Sequence, residues 1–141
     1  MLRDTWTRVA SAVALVVTIV LAGSAMAAAK TSFPLMGQQD SPKANGTASI
    51  QENRLSVTAK GLQPNAVYTV WFVNMQPTMT KEGAGTPPFT FKTDKKGQAK
   101  YVATLTESPI GKWQGIFIVR HPSGDPKDMN HMEDALMAKL M

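Results

Sequence analysis

The sequence predicts an all-β fold: an antiparallel β-sandwich of six or seven strands, immunoglobulin-like or Greek-key, with one C-terminal α-helix. Three observations carry that expectation. Leu55, Val57 and Ala59 alternate with Ser56, Thr58 and Lys60, the period of a half-buried strand. Two runs, Val67–Val73 (VYTVWFV) and Gly115–His121 (GIFIVRH), are β-branched and aromatic on both faces, as central strands are. Turn signals separate these runs, and no helical period appears before residue 126.

The ends of the chain are read first. Arg3 and Arg8 precede an uncharged run, Val9–Ala29, whose centre Val13–Leu21 is strongly apolar. Ala25-Met26-Ala27 fits an A-x-A cleavage signal, so residues 1–27 are expected to be a secretory signal peptide rather than a retained anchor. The domain plan is then a lead-in segment at 28–46, a sandwich at 47–121, and a turn with a packed C-terminal helix at 122–141. An exported chain without cysteine has packing alone to hold it. The net charge of +5 is spread over scattered lysines, which reads as a solubilising surface. Export argues against a nucleic-acid partner.

Within the domain the elements follow in order. Thr47–Gln51 and Leu55–Lys60 flank Glu52-Asn53, a tight hairpin connection. Gly61–Asn65 is a turn in which Pro64 fixes one backbone angle and Asn65 tolerates a left-handed one. Val67–Val73 leads into a long Pro- and Gly-bearing loop at Asn74–Pro88. Phe89–Thr93 and Gln98–Leu105 flank Asp94-Lys95-Lys96-Gly97, read as a hairpin turn. The expected core is Leu55, Val57, Leu62, Val70, Phe72, Phe89, Phe91, Tyr101, Ala103, Ile116 and Ile118. At the end, Asp125 suits an N-cap and Pro126 the first helical position. Met129, Met132, Leu136 and Leu140 then fall on one helical face, with His131 on the opposite side.

Both histidines of the chain lie in His121–Met132 (HPSGDPKDMNHM), with two of the chain's nine methionines. Imidazole and thioether ligands suit copper. His121 with Met75, Met79 and Met129 is therefore the candidate metal set, and copper the one candidate cofactor. The bland reading makes the methionines gap-filling apolar residues and His121 a hydrogen-bonded strand end. Catalysis finds no support. There is no G-x-S-x-G nucleophile turn, no zinc-type ligand spacing and no D-x-D calcium loop.

Gly61-Leu62-Gln63-Pro64, running on to Tyr68 and Trp71, and the Phe91–Gly97 turn resemble exported bacterial β-sandwiches. These include the extracytoplasmic domains of anti-sigma factors and the chordin-type and Cu/Zn superoxide-dismutase-like sandwiches. The resemblance spans about Thr47 to Val119 and implies the fold alone. Dismutase sites use many histidines and an aspartate, and this chain has two histidines. Anti-sigma factors carry a cytoplasmic domain ahead of a membrane helix, where this chain has eight residues before its apolar run.

The functional expectation is an exported, non-catalytic binding or interaction domain, periplasmic or extracellular. It would engage a protein or envelope partner and keep no membrane span after signal cleavage. One alternative is a periplasmic copper-binding protein using the His/Met set. Another is a carbohydrate- or envelope-binding module presenting Trp71 or Trp113. A third is a small subunit completing a larger assembly.

Overall fold

The structure, a computed structural model, describes residues 29–141. The expected signal peptide at 1–27 lies outside the described residues. Nine strands are formed: β1 Thr31–Gly37, β2 Asn45–Gln51, β3 Arg54–Lys60, β4 Val67–Asn74, β5 Thr80–Gly83, β6 Thr90–Lys92, β7 Ala99–Thr104, β8 Gly115–Arg120 and β9 Glu133–Lys139. All belong to one antiparallel sheet in the order β5-β4-β8-β9-β1-β2-β3-β7, with β6 also paired to β4. The sheet curls into a half-barrel around one apolar core.

Two parts of the expected architecture are overturned. The first is the two-sheet sandwich. β4 and β8 are apolar on both faces, as read, but no second sheet covers the outer face. Tyr68, Val70 and Phe72 point inward with Ile116 and Ile118. The outward Thr69 is buried instead against Trp71 and His121, and the Trp71 ring meets Phe89 edge-on at 5.5 Å. Loops and rings do the covering that a second sheet would do, and a two-sided apolar strand looks the same in sequence either way.

The second is the C-terminal helix. Among the described residues there is no helix, and Glu133–Lys139 is β9, inserted between β8 and β1. Leu136, Ala138 and Leu140 are buried at a spacing of two, with Met137 facing out between them. A bulge between Ile118 and Val119 accommodates the odd residue Ala135. Leu136 and Leu140 fit a helical stripe and a strand face equally well. The unpaired edges of β8 and β1 decide the matter, because each offers a row of backbone groups that a strand satisfies and a helix does not. The helix-start chemistry serves turns: Asp125 Oδ1 accepts from Lys127 N at 2.9 Å, and Asp128 Oδ1 from Asn130 N at 3.1 Å.

The lead-in segment also holds more than a spacer, since β1 lies inside the sheet, paired with both β2 and β9. Glu52-Asn53 closes the β2–β3 hairpin as read, with Glu52 at φ 56°. Gly97 makes the 94–97 turn at φ 74°, where a Cβ would lie 2.0 Å from the Leu62 carbonyl oxygen. The strands flanking that turn do not pair with each other. β6 pairs with β4 and β7 with β3, so the turn crosses an open seam between the two sheet edges.

β5 and β6 run along the same edge of β4, interrupted by an excursion at Ala84–Phe89. Val70 bridges the interruption, its carbonyl accepting from Ala84 N at 2.9 Å and its N–H donating to Phe89 O at 3.0 Å. The excursion fills the seam: Ala84 is fully buried, its carbonyl accepts the Tyr101 hydroxyl, and a Cβ on Gly85 would strike Ala103. Phe91 stacks on Tyr68 at 5.3 Å and meets Tyr101 at 6.0 Å, so rings close what the ladder leaves open.

Of the expected core, Phe89 sits on the outer face beside Trp71, and Tyr101 is only partly buried at the seam. Outside the ladder, Arg120 binds the buried Asp40 through Nε at 3.0 Å and Nη2 at 2.8 Å, and Glu133 at 2.7 Å. This clamp ties the β1–β2 connection to β8 and β9.

Candidate functional site

His121 directly follows β8 and is only 2% exposed. Its Nδ1 lies 3.1 Å from the Asp128 carbonyl oxygen, which can only accept, so Nδ1 carries the proton. Nε2 then accepts from the Thr69 hydroxyl at 2.7 Å, and Thr69 Oγ1 accepts the Trp71 indole N–H at 2.7 Å. The three side chains form one directed chain of hydrogen bonds in which both ring nitrogens are occupied. Any metal at His121 would have to displace Thr69.

The remaining members of the proposed His/Met set lie apart. His121 N–H bonds Val67 O at the start of β4, while Met75 follows the end of that strand. Seven residue steps at about 3.3 Å each put roughly 23 Å between those ends. Met79 lies at the Met75 end, just before β5, and Met129 in the loop beside His121; both are exposed. His131 is paired with Asp128 at 3.0 Å. Among the described residues no group of three or more histidines and carboxylates could hold a metal. Trp113 is buried and stacked on Phe72 at 6.3 Å. Trp71 is half-exposed, with Lys81 Nζ 5.3 Å from its ring centre.

What the fold does assemble is an apolar outer face. In the β4–β8–β9–β1 part of the sheet, Trp71 lies opposite Phe117, Phe117 opposite Met137, and Met137 opposite Met36. All four alternate with core-facing neighbours, so all four point outward. In the next row Val73 lies opposite Gly115, and Gly115 opposite Lys139. Gly115 has no side chain to fill the space between them, and a depression of about 390 Å³ opens there. Met75, Met137 and Met141 line it together with Val73 and Phe117. Met36 is 60% exposed, Met75 53% and Met141 67%, so this face presents thioethers to solvent.

Gln114 fixes the rim. Its Oε1 accepts from Met75 N at 2.7 Å and Gln76 N at 3.2 Å, while its carbonyl accepts from Leu140 N at 2.8 Å. Asn74 adds Oδ1, which accepts from Gln114 N at 2.8 Å. One residue therefore holds the backbone on both sides of the depression, next to Met75 and next to Met141. Sequence reasoning found Met75 but missed Met137, Met141 and Gln114. Met137 was assigned to a helix, and its place in the row requires the β8–β9 register.

A second depression, about 1040 Å³, is polar and wide open. Lys60, Lys92 and Lys100 line it with Thr47 and Thr58, and none of the three lysines is in an ion pair with the described residues. Asp94 at its edge is spent on its own turn. The N–H groups of Gln98 and Lys96 hold its carboxyl below the usual range.

No helix of the described residues is long and apolar enough to cross a membrane. Compared with protein families, with curated proteins and with solved structures, the chain finds no match.

Proposed function

We propose that the protein is an exported, non-catalytic binding domain that takes its ligand at the methionine-lined depression on the outer face. The observation that carries this reading is the row Trp71, Phe117, Met137 and Met36 with Met75 and Met141 beside it. Large apolar side chains seldom collect on a solvent-facing sheet unless something binds there. The leader-like run Val9–Ala29 supports export.

A direct test uses the apolar dye 1-anilinonaphthalene-8-sulfonate on the native protein. Saturable binding at one site is expected, with loss of the signal in Met137→Glu, which places a charge in the middle of the face. Absent binding, or binding unchanged in that variant, would remove the face as a ligand site.

A second reading is favoured by the unpaired lysines. The groove of Lys60, Lys92 and Lys100 suits an anionic envelope polymer, held electrostatically. Retention on a column of immobilised uronate polymer that disappears in the triple Lys→Gln variant is the expected behaviour under that reading.

A further inference from the structure

We infer that the depression on the outer face is a copper(I) site, with the thioether sulfurs of Met75, Met137 and Met141 as its ligands. This rests on the depression being the ligand site. It differs from the His121 set in every ligand but Met75.

The donor chemistry selects the ion. The chain has no cysteine, and both histidines stand at the other end of β4 and β8, hydrogen-bonded to Thr69 and Asp128. Methionine sulfur is the one soft donor left, and three of the seven methionines of the described residues line this one depression. Thioethers are neutral, soft ligands that favour Cu(I), whereas calcium, magnesium and manganese want oxygen. No side-chain carboxylate lines the depression, and its one charged side chain is that of Lys139. A hard divalent cation, which wants six or more oxygen ligands, would find few of them there.

The backbone brings the three residues together. The β8–β9 ladder fixes the backbone of Met137, the side chain of Gln114 holds the Met75 N–H, and the Gln114 carbonyl holds the chain at Leu140, just before Met141. Met36 lies opposite Met137 on β1 and adds a further thioether to the same face. Phe117 and Val73 supply apolar walls. Thioethers carry no proton to displace, so uptake releases none and needs no electron transfer. Loading should therefore persist into mildly acidic conditions, where imidazole sites lose affinity.

The test is an anaerobic titration of the purified protein with Cu(I) against bicinchoninate. One equivalent should bind with sub-micromolar affinity. Met75→Leu/Met137→Leu/Met141→Leu should lose it, while Met79→Leu and Met129→Leu should leave it unchanged. Gln114→Ala should weaken binding about 10-fold, the usual effect of removing a group that orients a ligand. Methyl NMR with Ag(I), a redox-silent substitute, should shift the Met75, Met137 and Met141 signals and leave Met79 and Met129 in place. Leucine keeps the volume and the apolar surface, so dye binding by the triple variant reports that the face is intact. Dye binding without copper affinity would overturn the copper assignment and leave the binding face standing. Failure of both would overturn both. Copper binding unaffected by the triple variant would place the metal elsewhere.

Discussion

At the scale of single residues, Thr69 carries more than its small side chain suggests. Its hydroxyl links the Trp71 indole N–H to His121 Nε2, and it is fully buried. Thr69→Val keeps the shape and strands both partners. Leaving buried polar groups unpaired costs about 1–3 kcal/mol. The urea midpoint should fall accordingly, and Thr69→Ser should recover most of the loss. If Thr69→Val were neutral, the hydrogen-bond chain would have no energetic role. None of this was legible in sequence. Thr69 and Trp71 share a strand face by parity, but the arrival of His121 depends on the pairing of β4 with β8. The Asp125-Pro126 signature was legible and was misassigned, since the same carboxylate chemistry caps helices and closes turns.

At the scale of elements, β9 is where local preference and tertiary demand part. Lys127–Leu140 contains good helix formers, and helix propensity is worth only tenths of a kcal/mol per residue. Filling two strand edges outweighs it. The two readings make opposite statements about side chains. In a packed helix Met129 would be part of the buried stripe; in the structure it is exposed, and Leu136 is fully buried. Leu136→Ala should therefore cost about 2–5 kcal/mol. Met129→Ala should stay within about 0.5 kcal/mol, as exposed positions do. Chemical denaturation of the two variants checks this, and a large loss in Met129→Ala would restore the helix. β3 was readable by its period of two, and β4 and β8 by their β-branched and aromatic runs, apolar on both faces. The open seam was not, because which strands flanking a turn fail to pair is decided by their other neighbours.

At the scale of the whole molecule, the Arg120 clamp joins parts of the chain that are far apart in sequence. Burial alone would raise the Asp40 carboxyl, but the Arg120 guanidinium, with a hydrogen bond from the Ser41 hydroxyl, holds it below the usual aspartate value. A group depressed in the folded state contributes stability that is fully present above its unfolded pKa and is lost as pH falls through the folded one. The melting temperature should therefore be flat near neutrality and fall below about pH 4, toward the depressed value. Asp40→Asn should lower the plateau and shallow that acid decline. An unchanged acid limb in the variant would assign the decline to other carboxylates. Sequence reasoning read the strands of the core as β-structure, but the copper ligands it chose were a compositional cluster. The sheet puts His121 and Met75 at opposite ends of one strand pair, and gathers thioethers that lie far apart along the chain.

The place of β9 has a consequence in time. Of the nine strands it is the last in chain order, yet it alone joins β8 to β1. Until residues 133–139 have been synthesised, the earlier strands form two partial sheets with β1 and β8 bare along their facing edges. The half-barrel is thus joined into one sheet by β9, and the methionine face, which spans that junction, comes into being only at the same moment. A growing chain cannot present this surface before residues 133–139 have been delivered.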